Sequence, residues 1–368
     1  MIRVLIAEDS AVTREYLIYL LSQEPDLRVV GTARDGLEAV AQAERLKPDV
    51  ILMDVHMPRL NGYEATRQIM ERVPTPIVMV SASYSRDEAS MAFHALEVGA
   101  VTLVDKPGGP DHPAQAETTR RLLEAVRLMA EVKVVRRWPQ DRGRRTEDGG
   151  RGVGVGGLKE RAIPQPLPPN PCMDRKIRLI AIGASAGGPQ VLAGIMAELP
   201  GDLGVPILVV QHIARGFTAG LAEWLGRGTR LTVKLAEQGE TIRPRTVYVA
   251  PDDAQMGVTT DCRIHLVSDV AEDGFCPSVS YLFRSVAEVY SHCAIGILLS
   301  GMGRDGAEGL RRLRDAGGLT IAQDEESSII FGMPREAIRL GAAEHVLSPG
   351  QIAELIRSLV GAKPGVGG

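Results

Sequence analysis

The segment Ile177-Arg178-Leu179-Ile180-Ala181-Ile182-Gly183-Ala184-Ser185-Ala186-Gly187-Gly188-Pro189 decides the fold of the second half of this chain. Its apolar run Ile177–Ile182 reads as a buried strand and its glycines as a tight turn. Val191, Leu192, Ile195 and Met196 then follow at helical spacing. Strand, glycine-rich turn and helix in that order open a βαβ unit, and a series of such units builds a parallel sheet with helices on both faces. The alternation continues through strand candidates at Ile207–Val210, Thr246–Ala250, Ala294–Leu299 and Leu319–Ala322.

Working outward towards the N-terminus, the same alternation fills the first 105 or so residues. Strand candidates are Arg3–Ala7, Val50–Met53, Ile77–Val80 and Val101–Val104. Ala11–Gln23 has Tyr16, Leu17, Leu20 and Leu21 at helical spacing, and Ala114–Val134 carries Leu122, Val126 and Met129 on one face. From Arg136 to Asp174 the composition shifts to Arg and Gly and then to Pro164-Gln165-Pro166-Leu167-Pro168-Pro169-Asn170-Pro171. No aromatic residue stands between Trp138 and Phe217, so this stretch has little apolar surface with which to offset ordering entropy. It reads as a linker, with Arg136, Arg137, Arg142, Arg144 and Arg145 solvated. The fold class is α/β: two doubly wound parallel-sheet domains, at residues 1–130 and 176–362, joined by a Gly/Arg/Pro-rich linker at 131–175.

A chain of 368 residues suits two domains, and its 44% hydrophobic and 24% charged composition is that of globular material. A net charge of -4, no helix-turn-helix pattern and no basic recognition stretch argue against nucleic acid as partner. The run Ile2–Ala7 is too short for a signal-peptide core, and no stretch approaches a membrane span, so no membrane insertion is expected. Cys172, Cys262, Cys276 and Cys293 show no CxxC or Cys/His spacing and read as reduced cytosolic thiols.

In an open parallel sheet, ligands gather beyond the carboxyl ends of the strands. Glu8 and Asp9 follow the first strand, Asp54 follows Val50–Met53, Ser81 ends Ile77–Val80, and Lys106 follows the strand ending at Val104. Each alone is an ordinary solvated or helix-capping group. Together they place three carboxylates, a hydroxyl and an ammonium at one edge, an all-oxygen donor set that suits Mg²⁺. Asp54 is then a nucleophile towards phosphorus, with Ser81 and Lys106 on the phosphoryl oxygens. With Met57-Pro58 and Asn61-Gly62 after Asp54, this half closely resembles the response-regulator receiver family over residues 1–130. The resemblance implies a flavodoxin-like fold, phosphorylation of Asp54 by a histidine kinase, Mg²⁺ on Glu8, Asp9 and Asp54, and phosphoryl contacts from Ser81 and Lys106. Leu103 stands where that family often has Tyr or Phe, which sets an aromatic-rotamer switch in question.

Three readings fit Gly183–Pro189 alone: a dinucleotide loop, a G-x-S-x-G nucleophile elbow, or a turn in which Ser185 caps the helix. Two other strand ends weigh in. Ile207–Val210 runs into Gln211-His212 where a dinucleotide fold expects an acid, and Ala294–Leu299 runs through Ser300-Gly301-Met302-Gly303-Arg304 to Asp305. A nucleophile, a base and an orienting carboxylate thus share one sheet edge, in the order Ser–His–Asp. Taken singly, His212 also fits a satisfied strand-end histidine and Asp305 a helix N-cap.

These motifs, with Phe331-Gly332-Met333-Pro334-Arg335-Glu336-Ala337, resemble the chemotaxis protein-glutamate methylesterase family, including its receiver–linker–esterase order. The resemblance implies a Rossmann-like esterase domain hydrolysing glutamyl methyl esters on methyl-accepting chemoreceptors, often with deamidation of glutamines. It needs no cofactor for the esterase reaction and is released from obstruction when the receiver is phosphorylated. It makes Ser185 the nucleophile, His212 the base, Asp305 its orienter and the Met302 backbone N–H an oxyanion donor, and it places the protein in the cytoplasm near membrane receptor arrays. Ala186, Ile213-Ala214, Gln255, Cys276 and Ser280 depart from the family's usual residues, and they are expected to line the substrate groove. Those departures motivate a second function, a phospho-controlled binding module without turnover. A nucleotide-dependent oxidoreductase rests on the glycine-rich turn alone, and Phe331–Pro334 reads either as a groove wall or, the preferred reading, as a structural turn opening a helix.

Overall fold

The computed structural model of the protein describes residues 1–81, 102–108, 115–132, 176–268, 271–272 and 274–360. The linker expected from Arg136 to Asp174, with its arginines and Cys172, lies outside the described residues, as do Val101, Ala114, Val134 and residues 361–362.

The first half builds a five-stranded parallel sheet from β1 (Ile2–Ala7), β2 (Leu27–Ala33), β3 (Val50–Asp54), β4 (Ile77–Ser81) and β5 (Thr102–Asp105), in the order β2-β1-β3-β4-β5. The described helices are α1 (Ala11–Ser22), α2 (Gly36–Leu46), α3 (Gly62–Arg72) and α4 (Gln115–Glu131). Side-chain caps set their starts. The Asp35 carboxylate accepts from the Glu38 amide at 2.9 Å, and the Asn61 side-chain oxygen accepts from the Glu64 amide at 2.9 Å. Gly62 is required for closeness: a Cβ there would lie 2.0 Å from the Asp54 carbonyl oxygen.

The second half builds a seven-stranded parallel sheet in the order β14-β13-β12-β6-β7-β9-β8. The strands are β6 (Leu179–Ala184), β7 (Ile207–Gln211), β8 (Thr232–Leu235), β9 (Thr246–Val249), β12 (Ala294–Leu298), β13 (Leu319–Gln323) and β14 (His345–Leu347). An antiparallel pair, β10 (Ala254–Val258) and β11 (Ile264–Ser268), is inserted before helix α7 (Val279–Tyr290). Helices α5 (Gly188–Glu198), α6 (Thr218–Arg227), α8 (Ala307–Asp315), α9 (Met333–Arg339) and α10 (Pro349–Val360) complete the described set. The α/β class and the parallel sheets are as the sequence predicts. Strands β2, β8, β10, β11 and β14 are additions, and several of them are short or half-exposed, which weakens their hydrophobic signal.

Each sheet has one place where the strand order reverses. In the first it lies between β1 and β3, and in the second between β6 and β12. Connections leave in opposite directions there and open a crevice at the carboxyl ends. Glu8, Asp9 and Asp54 border the first crevice, and Ser185 and Asp305 the second.

Gly183, one residue before the end of β6, sits against α7, where an added Cβ would lie 2.0 Å from Val279 Cγ1. Gly183→Ala should lower the stability of the second domain by about 1–3 kcal/mol through overpacking, read as an earlier urea midpoint for that domain.

Candidate functional site

At the first crevice, ligand oxygens of Glu8, Asp9 and Asp54 lie within 4.8 Å of one another. Lys106 Nζ sits 2.8 Å from Glu8 Oε2 and 2.9 Å from Asp54 Oδ2. Burial pushes the Glu8 carboxyl up and the neighbouring Asp54 charge adds to this, against the pull of Lys106. Asp54 is likewise raised by burial against Lys106. Burial pulls the Lys106 ammonium down, but Asp54 and Glu8 outweigh it and hold it above its ordinary value. Crowded carboxylates with raised protonation and an all-oxygen donor set fit a hard divalent cation such as Mg²⁺. Ser81 ends β4 opposite Asp105 in register, and its carbonyl accepts from the Lys106 amide at 2.9 Å. All five residues singled out in the sequence therefore lie at one sheet edge.

At the second crevice, Ser185 leaves β6 with its amide donating to the Ser300 carbonyl at 3.0 Å. It does not cap α5. The cap is Gly187, at φ 76°, a left-handed conformation that suits glycine. Gln211 ends β7 and straps two positions together, its side-chain N–H donating to the Ser185 carbonyl at 2.7 Å and the His212 carbonyl at 2.8 Å. His212 Nε2 lies 2.9 Å from Asp305 Oδ2, a close contact in which the ring N–H is not aligned with the carboxylate. The other ring nitrogen, Nδ1, is buried and has no hydrogen-bond partner among the described residues.

Asp305 does not cap α8 either, since Gly306 is the cap, at φ 86°. Its carboxylate is 2% exposed and accepts from the Ser278 hydroxyl at 3.0 Å and from the amides of Val279, Ser280 and Gly306 at 2.8–3.0 Å. Burial alone would push this carboxyl up. The His212 contact and charge, with the amides of Ser280 and Val279, outweigh burial and bring it down to about 2.

Gly301 brings the Asp305 loop against the serine, for a Cβ there would lie 2.7 Å from Ser185 Cβ. The loop is pinned by the amides of Gly332 and Met333, which donate to the Gly301 carbonyl at 3.1 and 2.9 Å. Phe331–Pro334 is thus a structural turn opening α9, as its sequence suggests. No protein acceptor is recorded for the Met302 amide among the described residues, and it follows directly on this contact.

Two residues expected in the groove need correction. Gln255 is fully buried, its side chain accepting from the Ser278 amide and donating to the Phe275 carbonyl, each at 2.7 Å. Ser280 is also buried, and its hydroxyl accepts from the Gly306 amide at 2.8 Å. Ala186 is half-buried and packs against an apolar cluster that includes Ile330. Ile213 does line the cleft beside His212. Phe275, unremarked in the sequence, stacks on the His212 ring with centroids 4.3 Å apart and planes 8° apart. No motif marks it, because its position depends on the β10–β11 excursion.

The edge strand of the first sheet reaches the second crevice. Thr102 and Leu103 of β5 line one cleft with Ser185, Gln211, His212 and Ile213, leaving about 10 Å³ of free volume, roughly the space of one water. The apolar cluster under α4 continues into Ile330, with Ala186, Met302 and Ile329 packed against it. Arg121 of α4 approaches the Gly274 carbonyl at 3.5 Å and lies 6.0 Å from the Phe275 ring centroid. Asp105 accepts from the Arg215 amide, and burial pushes its carboxyl up against the charge of Arg121.

Comparisons with known proteins agree in both halves. The CheB methylesterase family matches residues 180–356, and the response regulator receiver domain matches residues 4–118. A protein-glutamate methylesterase/protein-glutamine glutaminase of Nitrosospira multiformis is 47% identical over 98% of this chain and 97% of its own. One from Geobacter metallireducens is 46% identical over 98% of this chain and 99% of its own. The crystal structure of the Thermotoga maritima CheB methylesterase catalytic domain shares 37% identity, with a TM-score of 0.49 covering 50% of this chain and 99% of that one.

The lowered Asp305 carboxyl makes the second domain sensitive to acid. Its stabilisation is complete above the ordinary carboxylate value, near 3.8, and is lost as pH falls through about 2, because the unfolded chain takes up the proton first. Wild-type protein should lose about 2–3 kcal/mol of second-domain stability between roughly pH 5 and pH 1 from this group, and Asp305→Asn should flatten that segment in urea titrations.

Proposed function

Because the chain belongs to the CheB family of protein-glutamate methylesterases/protein-glutamine glutaminases, we propose that its second crevice is a serine esterase site governed by phosphorylation of Asp54 in the first. The observation that carries this reading is the buried Asp305–His212 contact held beside Ser185 at the point where the sheet order reverses.

His212 accepts the Ser185 hydroxyl proton as Oγ attacks the glutamyl ester carbonyl, and buried Asp305 stabilises the imidazolium that forms. The tetrahedral oxyanion lies against the Met302 amide. One such preorganised donor contributes roughly 3–4 kcal/mol to the barrier reduction. Collapse expels methanol, which takes its proton from His212. Water then attacks the acyl-enzyme, giving up a proton to His212, and releases the free glutamate side chain and Ser185. A glutamine amide meets the same groups with ammonia as leaving group.

In the first crevice, Glu8, Asp9 and Asp54 would hold Mg²⁺, which neutralises charge during phosphoryl transfer. A histidine kinase of the chemosensory pathway is the phosphodonor, and Ser81 and Lys106 bind the phosphoryl oxygens. Methyl-accepting chemoreceptors are the substrate, which places the work in the cytoplasm beside membrane receptor arrays. No described helix is long and apolar enough to cross a membrane. The division of roles is drawn at residues 1–130 for the switch and 176–362 for the esterase. With β5 against Ser185 and His212, the cleft is too small for a glutamyl ester, so the receiver must withdraw before turnover. A binding module without turnover is not favoured, since buried Gln255 and Ser280 support the His212–Asp305 pair.

Methanol release from methylated receptor membranes, with and without a small phosphodonor, checks these assignments. Ser185→Ala should abolish release, and wild-type release by that variant would refute the nucleophile. Asp54→Asn should keep the basal rate and lose all stimulation by the phosphodonor; stimulation that persists would move the switch elsewhere.

A further inference from the structure

We infer that Phe275 is the residue that positions the base, and that Arg121 is the handle by which the receiver holds that same ring. This rests on the esterase reading of Ser185, His212 and Asp305 and adds to it a positioning residue and a latch.

The local sequence does not hold Phe275 by itself. Gly274-Phe275-Cys276-Pro277 is a loop between β11 and α7, and a loop aromatic on a surface would sample several rotamers. Here its backbone is fixed from beneath. The buried Gln255 side chain binds both the Phe275 carbonyl and the Ser278 amide, and the Phe275 amide and carbonyl both pair with Glu272. The ring then lies almost parallel to His212, at 4.3 Å between centroids. That stack restricts rotation of the imidazole about its Cβ–Cγ bond. With Nε2 against Asp305, the stack holds the imidazole in one orientation in the cleft it shares with Ser185. The face of a benzene ring is also the negative end of its quadrupole, so the stack favours the imidazolium formed when Ser185 gives up its proton.

Arg121 is the part of the receiver that reaches this ring, at 6.0 Å from its centroid and 3.5 Å from the carbonyl of the preceding glycine. Its charge is also felt by the Asp105 carboxylate, which adjoins Lys106 in sequence and accepts from the Arg215 amide. Arg121 thus stands between the two sites: its charge acts on Asp105, the chain neighbour of the Lys106 that pairs with Asp54, and its guanidinium lies beside Phe275, which stacks on His212. Phe275 and Gln255 belong to the esterase domain, so the stack on His212 persists when the receiver withdraws, whereas the Arg121 contact does not. The two contacts therefore separate experimentally: one acts on every turnover, the other only on the covered state.

The full-length protein is assayed for methanol release from methylated receptor membranes, and the His212 imidazole protons are followed by NMR, assigned by their loss in His212→Gln. Phe275→Leu should lower kcat about tenfold in the phosphorylated protein, the upper range for one aromatic pair, with KM unchanged. It should also remove the upfield ring-current shift of the His212 signals. Phe275→Tyr, which keeps the aromatic face, should retain both. Arg121→Ala should raise the unphosphorylated rate by about two- to fivefold, the scale of an exposed cation–π contact, and leave the phosphorylated rate as it was. In a Phe275→Leu background the Arg121→Ala increase should disappear. A leucine variant with wild-type kcat, or a tyrosine variant that falls as far as leucine, would overturn the positioning role. An unphosphorylated rate unaffected by Arg121→Ala would overturn the latch. Ser185→Ala run alongside separates the two levels: residual turnover there refutes the esterase site itself, whereas an inert serine variant beside an unimpaired leucine variant refutes only the role of Phe275.

Discussion

A carboxylate at 2% exposure cannot stay ionised unless nearly every lone pair is satisfied, and the second domain is arranged around meeting that demand for Asp305. Ser278, Val279 and Ser280 come from the start of one helix and Gly306 from the start of the next, and all four point N–H or O–H groups at it. Two helix N-termini converging on one anion give it a positive field, and His212 supplies the remaining contact. The geometry of the base is thus inherited from the packing of α7 against α8, and Gly309 allows that closeness, its missing side chain facing the Ser280 backbone. Loosening that helix pair would disturb the reaction centre without touching any reacting atom.

The first domain solves the opposite electrostatic problem. It crowds three carboxylates at one edge, and among the described residues Lys106 is the cation paired with both Glu8 and Asp54. One site is over-supplied with donors and holds its charge at low pH. The other is short of positive charge and is ready to accept a cation and a phosphoryl group. The same sheet architecture supports both, because the reversal of strand order supplies an open crevice whose chemistry depends on the loops.

Much of this was legible in the sequence. Strand-end positions are fixed by short apolar runs, so Glu8, Asp9, Asp54, Ser81 and Lys106, and likewise Ser185, His212 and Asp305, could be assigned to their edges before any contact was known. What escaped were residues whose role depends on a long-range approach. Gln255 and Ser280 were expected in the groove on the strength of a family resemblance, but burial and hydrogen bonding make them supports for the Phe275 and Asp305 loops. Phe275 had no motif and no periodicity. Leu103 was noted for the aromatic it lacks, whereas its position is decided by what it covers, since β5 is an edge strand and its side chains are free to enter another domain's cleft.

The order of the two domains along the chain has a consequence for how the protein comes into being. The receiver is complete once α4 has emerged, whereas the reaction centre needs Asp305 and the turn at Phe331–Pro334, close to the end of the chain. Domains generally fold as units, N-terminal first, during synthesis. The cover can therefore fold before the cleft it covers is complete, so the order of synthesis favours a molecule that starts closed over one that must be closed afterwards.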